Sequence, residues 1–227
     1  MKSVTRCQYT GSGILAHAQD EKGVERRIAL ADVRAGVVFP TGALPGYYVL
    51  FGRKWTSLPA GKRPLMFLTE GQELVHEALF TKLSDACTKF KCRTIYADKP
   101  TANRVGGIGG FDDLWRYLRN RKLQINLIPA PAADDVEYGM ALLREYWTER
   151  ALDLPPTDLT PTILRGQLKT LPGLKQPGKD DGAIDEKRLY AFHAMRFLLA
   201  GFVKFNNVIA YGVQARKDPR ASSKGWT

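Results

Sequence analysis

The 227-residue chain predicts an α/β fold, a mixed five-stranded sheet with helices on both faces. Three features carry that expectation. Runs of β-branched and aromatic residues, set off by Gly/Pro-rich turns, come first and in succession, as antiparallel neighbours do. The apolar period then changes to steps of three and four, the mark of an amphipathic helix. From there short apolar runs alternate with helical stretches, a pattern that adds strands in parallel through helical crossovers.

Taken in order, residues 1–25 are polar, with a turn signal at Glu21-Lys22-Gly23, and are expected as an N-terminal extension of two short strands. One domain is expected over 26–205 and a basic tail over 206–227. The first three strands fall at 27–33, 47–53 and 64–69, and the loop 58–63 between the last two exposes Lys62 and Arg63. A helix follows over 70–90, its stripe formed by Leu74, Val75, Ala78, Leu79, Leu83, Ala86, Cys87 and Phe90. Glu70, Glu73 and Glu77 would lie on its solvated face. Residues 94–97 make a short parallel strand, and 105–110, with four glycines, a flexible loop. Asp112 or Asp113 caps a helix carrying Leu114, Trp115 and Leu118, and 123–128 is the fifth strand. Asp134 or Asp135 caps the next helix, with Val136, Met140, Leu143 and Trp147 inward. After an irregular stretch over 155–182, Asp185 starts a last helix with Leu189, Phe192, Met195, Leu199 and Phe202 along one face.

Basic side chains outnumber acidic ones by 34 to 23, a net charge of +11 that points to a polyanionic partner such as nucleic acid. The excess is uneven, since 1–133 hold 20 basic and 11 acidic residues and 134–227 hold 14 and 12. The three cysteines, 7, 87 and 92, have no histidine at zinc spacing, and Cys87 falls on a helix's apolar face, so buried thiols in a reducing cytosol are expected. No apolar leader opens the sequence, and the most apolar stretch, 189–213, is broken by His193, Arg196 and Lys204. Gly106-Gly107-Ile108-Gly109-Gly110 lacks the Gly-Lys-Ser/Thr ending of a nucleotide-binding loop.

Asp98 follows the strand 94–97 and Asp32 ends the run 28–31. Carboxylates at strand tips face the crevice in which open α/β sheets bind ligands, so the two could share magnesium or manganese; the competing reading makes each a turn residue. Two-metal cleavage of a phosphodiester needs more acids than two, and Asp185, Glu186, Asp134 and Asp135 are the further ligand candidates, with helix capping as the simpler role for Asp134, Asp135 and Asp185. His193 borders Phe192 and Met195, so packing competes with a part as ligand or proton donor. Lys89, Lys91, Arg93, Lys99 and Arg104 flank the Asp98 strand, and Arg116, Arg119, Arg121 and Lys122 follow with Trp115 and Tyr117 between them, either as phosphate contacts or as an ordinary solvated face.

Three strands, a helix, a strand, a helix, a strand and then helices is the element order of the ribonuclease H-like fold. Within it, Ile95-Tyr96-Ala97-Asp98, the 125–152 segment and His193-Ala194-Met195-Arg196-Phe197 resemble the nuclease domains of phage large terminases, the last looking like their closing Asp-Ala-Leu-Arg-Tyr. The resemblance implies DNA as partner, a place in viral genome processing or packaging beside other packaging or assembly proteins, the host cytosol as location, and magnesium or manganese for any cleavage. It puts Asp32 and Asp98 in the first two acid positions. The third is His193, and the residue one turn earlier is Leu189, so the acid set is incomplete. A non-catalytic module that kept the fold for nucleic-acid binding or assembly is the alternative it leaves open.

Overall fold

A computed structural model describes residues 3–20, 22–42, 44–56, 58, 63–98, 110–131, 133, 135–155, 162–169, 171 and 189–215, the stretch 204–215 by backbone only. The sequence forms β1 (Ser3–Thr10), β2 (Gly13–Gln19), β3 (Glu25–Val38), β4 (Gly46–Lys54), β5 (Leu65–Glu73), α1 (His76–Phe90), β6 (Thr94–Ala97), α2 (Gly110–Asn120), β7 (Asn126–Pro129), α3 (Val136–Thr148), β8 (Leu152–Asp153), α4 (Ile163–Leu168) and α5 (Tyr190–Ala215).

β3, β4 and β5 are antiparallel neighbours, β6 lies parallel to β3, and β7 parallel to β6. That gives the spatial order β5-β4-β3-β6-β7, the order and strand directions of a ribonuclease H-like sheet. The sheet is larger than the five strands expected. β1 and β2 form a hairpin whose second strand pairs with Glu25–Leu30 of β3, and β8 adds two residues in parallel to β5. β3 is 14 residues long and central, so one of its edges takes two partners in succession, β2 along its first half and β6 at Arg34–Val37.

Alternation along these strands sorts the core into two layers. Ala35, Val37, Ile95 and Ala97 face α1 and α2 with Leu79, Leu83, Leu114 and Leu118. On the other face Tyr47, Val49 and Phe51 meet α3, α4 and α5 through Leu143, Leu164, Phe192, Met195 and Leu199. Helices therefore cover both faces, and the stripe expected on the last helix is buried as read, although that helix is described from Tyr190 onward.

Three local expectations are corrected. Residues 70–73 continue β5 instead of opening α1, and Leu74 and Val75, counted in the helical stripe, are exposed in the turn between them. Glu70 thus sits in a sheet, where it accepts hydrogen bonds from the buried Tyr47 hydroxyl and from the Ile163 and Leu164 amides that open α4. α2 begins at Gly110, so Asp112 and Asp113 lie in its first turn rather than at its cap. Asp135 does cap α3, accepting from the Tyr138 amide at 2.8 Å.

α5 crosses β3 at Gly36 with no room to spare: a Cβ there would come within 1.9 Å of the Ala194 carbonyl oxygen. Gly36→Ala should accordingly cost about 3 kcal/mol in urea unfolding, the upper end of ordinary overpacking, because helix backbone has to move. Gly166→Ala, inside α4 where a new Cβ meets nothing within 4 Å, should stabilise by roughly 0.5–1 kcal/mol.

Candidate functional site

The two parallel strands β3 and β6 end together. Their register runs from Arg34↔Thr94 to Val37↔Ala97, and the next residue along each chain is Val38 in β3 and Asp98 just past β6. The pleat turns Ile95 and Ala97 towards α1 and α2, which sends Tyr96, and in continuation Asp98, to the α5 face. Val38 shares that face and packs with Tyr96, Phe197 and Ala130. Asp98 is half-buried at this edge.

α5 brings His193 and Arg196 to the same end of the sheet, on the turns around Phe197. The buried Arg196 donates to the carbonyls of Ala133 at 2.6 Å and Asp135 at 3.4 Å, tying α5 to the chain that follows β7. Its Nε donates to His193 Nδ1 at 2.9 Å. Since a guanidinium only donates, Nδ1 must accept, which leaves the imidazole neutral with its proton on Nε2. With a proton on Nε2 and Arg196 on Nδ1, that tautomer is closed to a cation.

Asp32 lies elsewhere. It does not end a strand but sits inside β3, six residues before Val38, hence ~20 Å from the Asp98 end at the usual rise per residue. Its carboxylate takes Arg34 Nη2 at 2.8 Å and Arg53 Nε at 3.0 Å. Arg34 is buried and also donates to the Gly201 carbonyl at 3.0 Å and the Tyr96 hydroxyl at 3.2 Å, with the Phe202 ring 4.6 Å beneath its guanidinium. The sequence put two carboxylates around one cation; the structure puts one of them between two arginines, in a network that pins the far half of α5 to β3.

Asp185, Glu186, Lys99, Arg104 and Asp134 lie outside the described residues. Among the described residues no group of three His, Cys, Asp or Glu side chains gathers, and Val38, packed with Tyr96 and Phe197 where β3 ends, offers no ligand, so the described donor set does not fit a two-cation centre. Lys89, Lys91 and Arg93 sit at the start of β6, the end of that strand opposite Asp98. Arg116 is exposed and 3.8 Å from Asp113, while Arg119, at the last turn of α2, stacks 4.6 Å over Trp115. The cysteines are all buried; burial pushes the Cys7 thiol up to about 12, and the hydrogen bond that Cys87 donates to Cys92, together with burial, raises Cys87 well above its ordinary value, so neither Cys7 nor Cys87 is a nucleophile near neutrality. Sequence reasoning missed Arg34, Arg53 and Arg196. Arg34 and Arg196 are buried and Arg53 half-buried, and each has a carbonyl or carboxylate partner from a distant segment, apart from the Asp32 two residues before Arg34.

No helix among the described residues is long and apolar enough to cross a membrane. No family model and no curated protein matches the chain. Among solved structures, it is similar to the large terminase nuclease from the thermophilic phage G20c with bound magnesium, at 10% identity and a TM-score of 0.47 over 86% of this chain and 91% of that one. The zinc-bound form of that nuclease gives 9% identity and a TM-score of 0.46 over the same shares. RuvC of T. thermophilus in complex with a Holliday junction substrate gives 10% identity and 0.39 over 74% of this chain and 91% of that one. The ribonuclease H-like assignment rests on this chain's own strand order and directions.

If Asp32 is the counter-ion of Arg34, Asp32→Asn leaves a buried guanidinium underpaired and should lower stability by about 3 kcal/mol, at the lower end for breaking a buried pair. Urea unfolding of the two proteins measures it; a loss under about 0.5 kcal/mol would return Asp32 to the list of site residues.

Proposed function

We propose that this chain is a ribonuclease H-like DNA-binding protein of viral genome processing or packaging, built on the plan of a terminase nuclease and working by binding rather than by cleavage. The observation that carries the reading is the register that ends at Val37↔Ala97, after which β3 continues with the apolar Val38 and β6 is followed by Asp98. Phosphodiester hydrolysis with two metals needs converging carboxylates at that place. Here one acid follows β6, an apolar side chain ends β3, and the last helix contributes a neutral histidine held by Arg196. What the chain offers a nucleic acid is electrostatic attraction, from its net charge of +11. The resemblance of the 94–98 and 193–197 segments to terminase nucleases supports DNA as the polyanion, and packaging or assembly proteins as further partners.

The enzymatic alternative keeps Asp98 and His193 at the site and recruits magnesium or manganese through Asp98 and an acid such as Asp185. What favours it is the placement of Asp98 at the tip of a buried parallel strand.

Supercoiled plasmid incubated with manganese separates the two. Binding without nicking, for the protein and for Asp98→Ala alike, is the expected result; manganese-dependent nicking that disappears in Asp98→Ala would establish the enzyme instead. Affinity for DNA should also fall steeply with salt, the log–log slope growing by about 0.9 for each phosphate contacted. No measurable DNA binding at about 50 mM salt, a concentration at which phosphate contacts are strong, would remove DNA as the partner.

A further inference from the structure

Among the described residues, a cluster of six cations without a carboxylate partner lies at the end of the sheet opposite Asp98. β6 and β7 start side by side, Thr94 opposite Asn126, with the Asn126 amide donating to the Arg93 carbonyl at 2.8 Å. The helices that feed them, α1 and α2, therefore finish next to each other, about 10 Å apart at ordinary helix spacing. Lys89, Lys91 and Arg93 come from the first turn, and Arg119, Arg121 and Lys122 from the second. Five of the six are exposed and Lys91 is half-buried, and among the described residues none is within ion-pair distance of a carboxylate.

Two further features set this edge apart from an ordinary solvated face. Its arginines are held on aromatic rings: Arg93 lies 4.7 Å over Tyr9, Arg119 lies 4.6 Å over Trp115, and Arg121 lies 4.8 Å over Tyr117. A stacked guanidinium loses less freedom when it grips a phosphate than a free one does. Secondly, both helices end on a lysine in the left-handed region, Lys91 at φ 60° and Lys122 at φ 53°, where glycine is the ordinary residue. Arg150 follows α3 in the same way, at φ 52°. A cation there complements the helix dipole in all three cases. Only Lys91 and Lys122 fall on the edge, for Arg150 precedes β8, four strand spacings or about 19 Å from β6.

We infer that the paired C-terminal ends of α1 and α2, with the tip of the β1–β2 hairpin at Tyr9, form a nucleic-acid grip that holds backbone phosphates without reading sequence, on the edge of the domain opposite Asp98. The inference rests on the nucleic-acid reading of the protein and assigns it a surface that the position of Asp98 does not indicate.

The test uses the full chain with labelled 30-nucleotide DNA, duplex and single-stranded, in fluorescence anisotropy across a salt series. Lys91→Gly with Lys122→Gly removes two charges and relieves two strained backbones, so the melting temperature should hold or rise while affinity falls at least tenfold. Adding Arg93→Ser and Arg121→Ser should flatten the duplex salt slope by a further 1.8 or so, about 0.9 per lost contact. Arg150→Gly makes the same backbone change off the edge and should leave affinity unchanged. If the unaltered protein binds DNA and the four-residue variant binds equally well, the inference fails while the proposed function stands. If Arg150→Gly weakens binding as much as Lys91→Gly does, general charge rather than this edge is responsible, and the inference again fails. If the unaltered protein binds polyglutamate as tightly as DNA, the edge serves an acidic polypeptide and the inference is overturned. Absence of DNA binding by the unaltered protein removes both the function and the grip.

Discussion

The architecture depends on one close approach, that of α5 to β3 at Gly36. Because no side chain stands between the Ala194 carbonyl and the strand, the helix lies directly on the sheet. Everything along α5 takes its position from that crossing. Tyr190 reaches Gln72 and the ring of Tyr47, Phe197 fits against Tyr96, and Gly201 comes down on Tyr96 and offers its carbonyl to Arg34. The same geometry sets His193 and Arg196 at the edge where β3 and β6 end. A helix held one side chain farther out would leave the Arg34 guanidinium without its carbonyl partner and the Arg196 fork short of Ala133.

Asp32 and Arg34 show how a sequence pattern can be read correctly and located wrongly. The carboxylate stands out in the sequence at the end of the run 28–31, and the structure gives it two arginine partners. What the pattern did not reveal is that β3 continues to Val38, because Arg34 and Gly36 interrupt the apolar run at the point where the strand is most deeply covered. Arg34 is tolerated inside because its partners, Arg53's neighbour Asp32, Tyr96 and the Gly201 carbonyl, come from three separate elements and satisfy a fork that water would otherwise have to solvate. Those partners lie 2, 62 and 167 residues away. Glu70 belongs to the same class: spacing placed it on a helix, whereas its tertiary partners at Ile163 and Leu164 hold it in a strand.

Elements governed by local periodicity were legible. The apolar stripe of the last helix, the antiparallel succession of β3, β4 and β5, the parallel addition of β6 and the cap at Asp135 all follow from signals within a dozen residues. Asp98 was legible as the end of a strand, since Ile95 and Tyr96 stop there. The residue at the matching end of β3 was not, because register is decided by pairing rather than by either strand alone. The basic residues were visible as a cluster along the chain, yet a four-residue strand is enough to carry them to the end of β6 away from Asp98.

The sheet's free margins have a consequence for how copies of this chain meet. β7, one outer strand, is four residues long and ends at Pro129, which has no amide hydrogen to donate. β1, another margin, is irregular between Val4 and Arg6, and β8 is only two residues. Long, flat margins are the templates on which sheets of separate molecules join into continuous ladders, and short, kinked or proline-ended ones resist it. At the high local concentrations of a crowded assembly, a second copy finds no long, flat ladder to add to among the described residues, and contacts between copies are left to side chains whose charge is net positive.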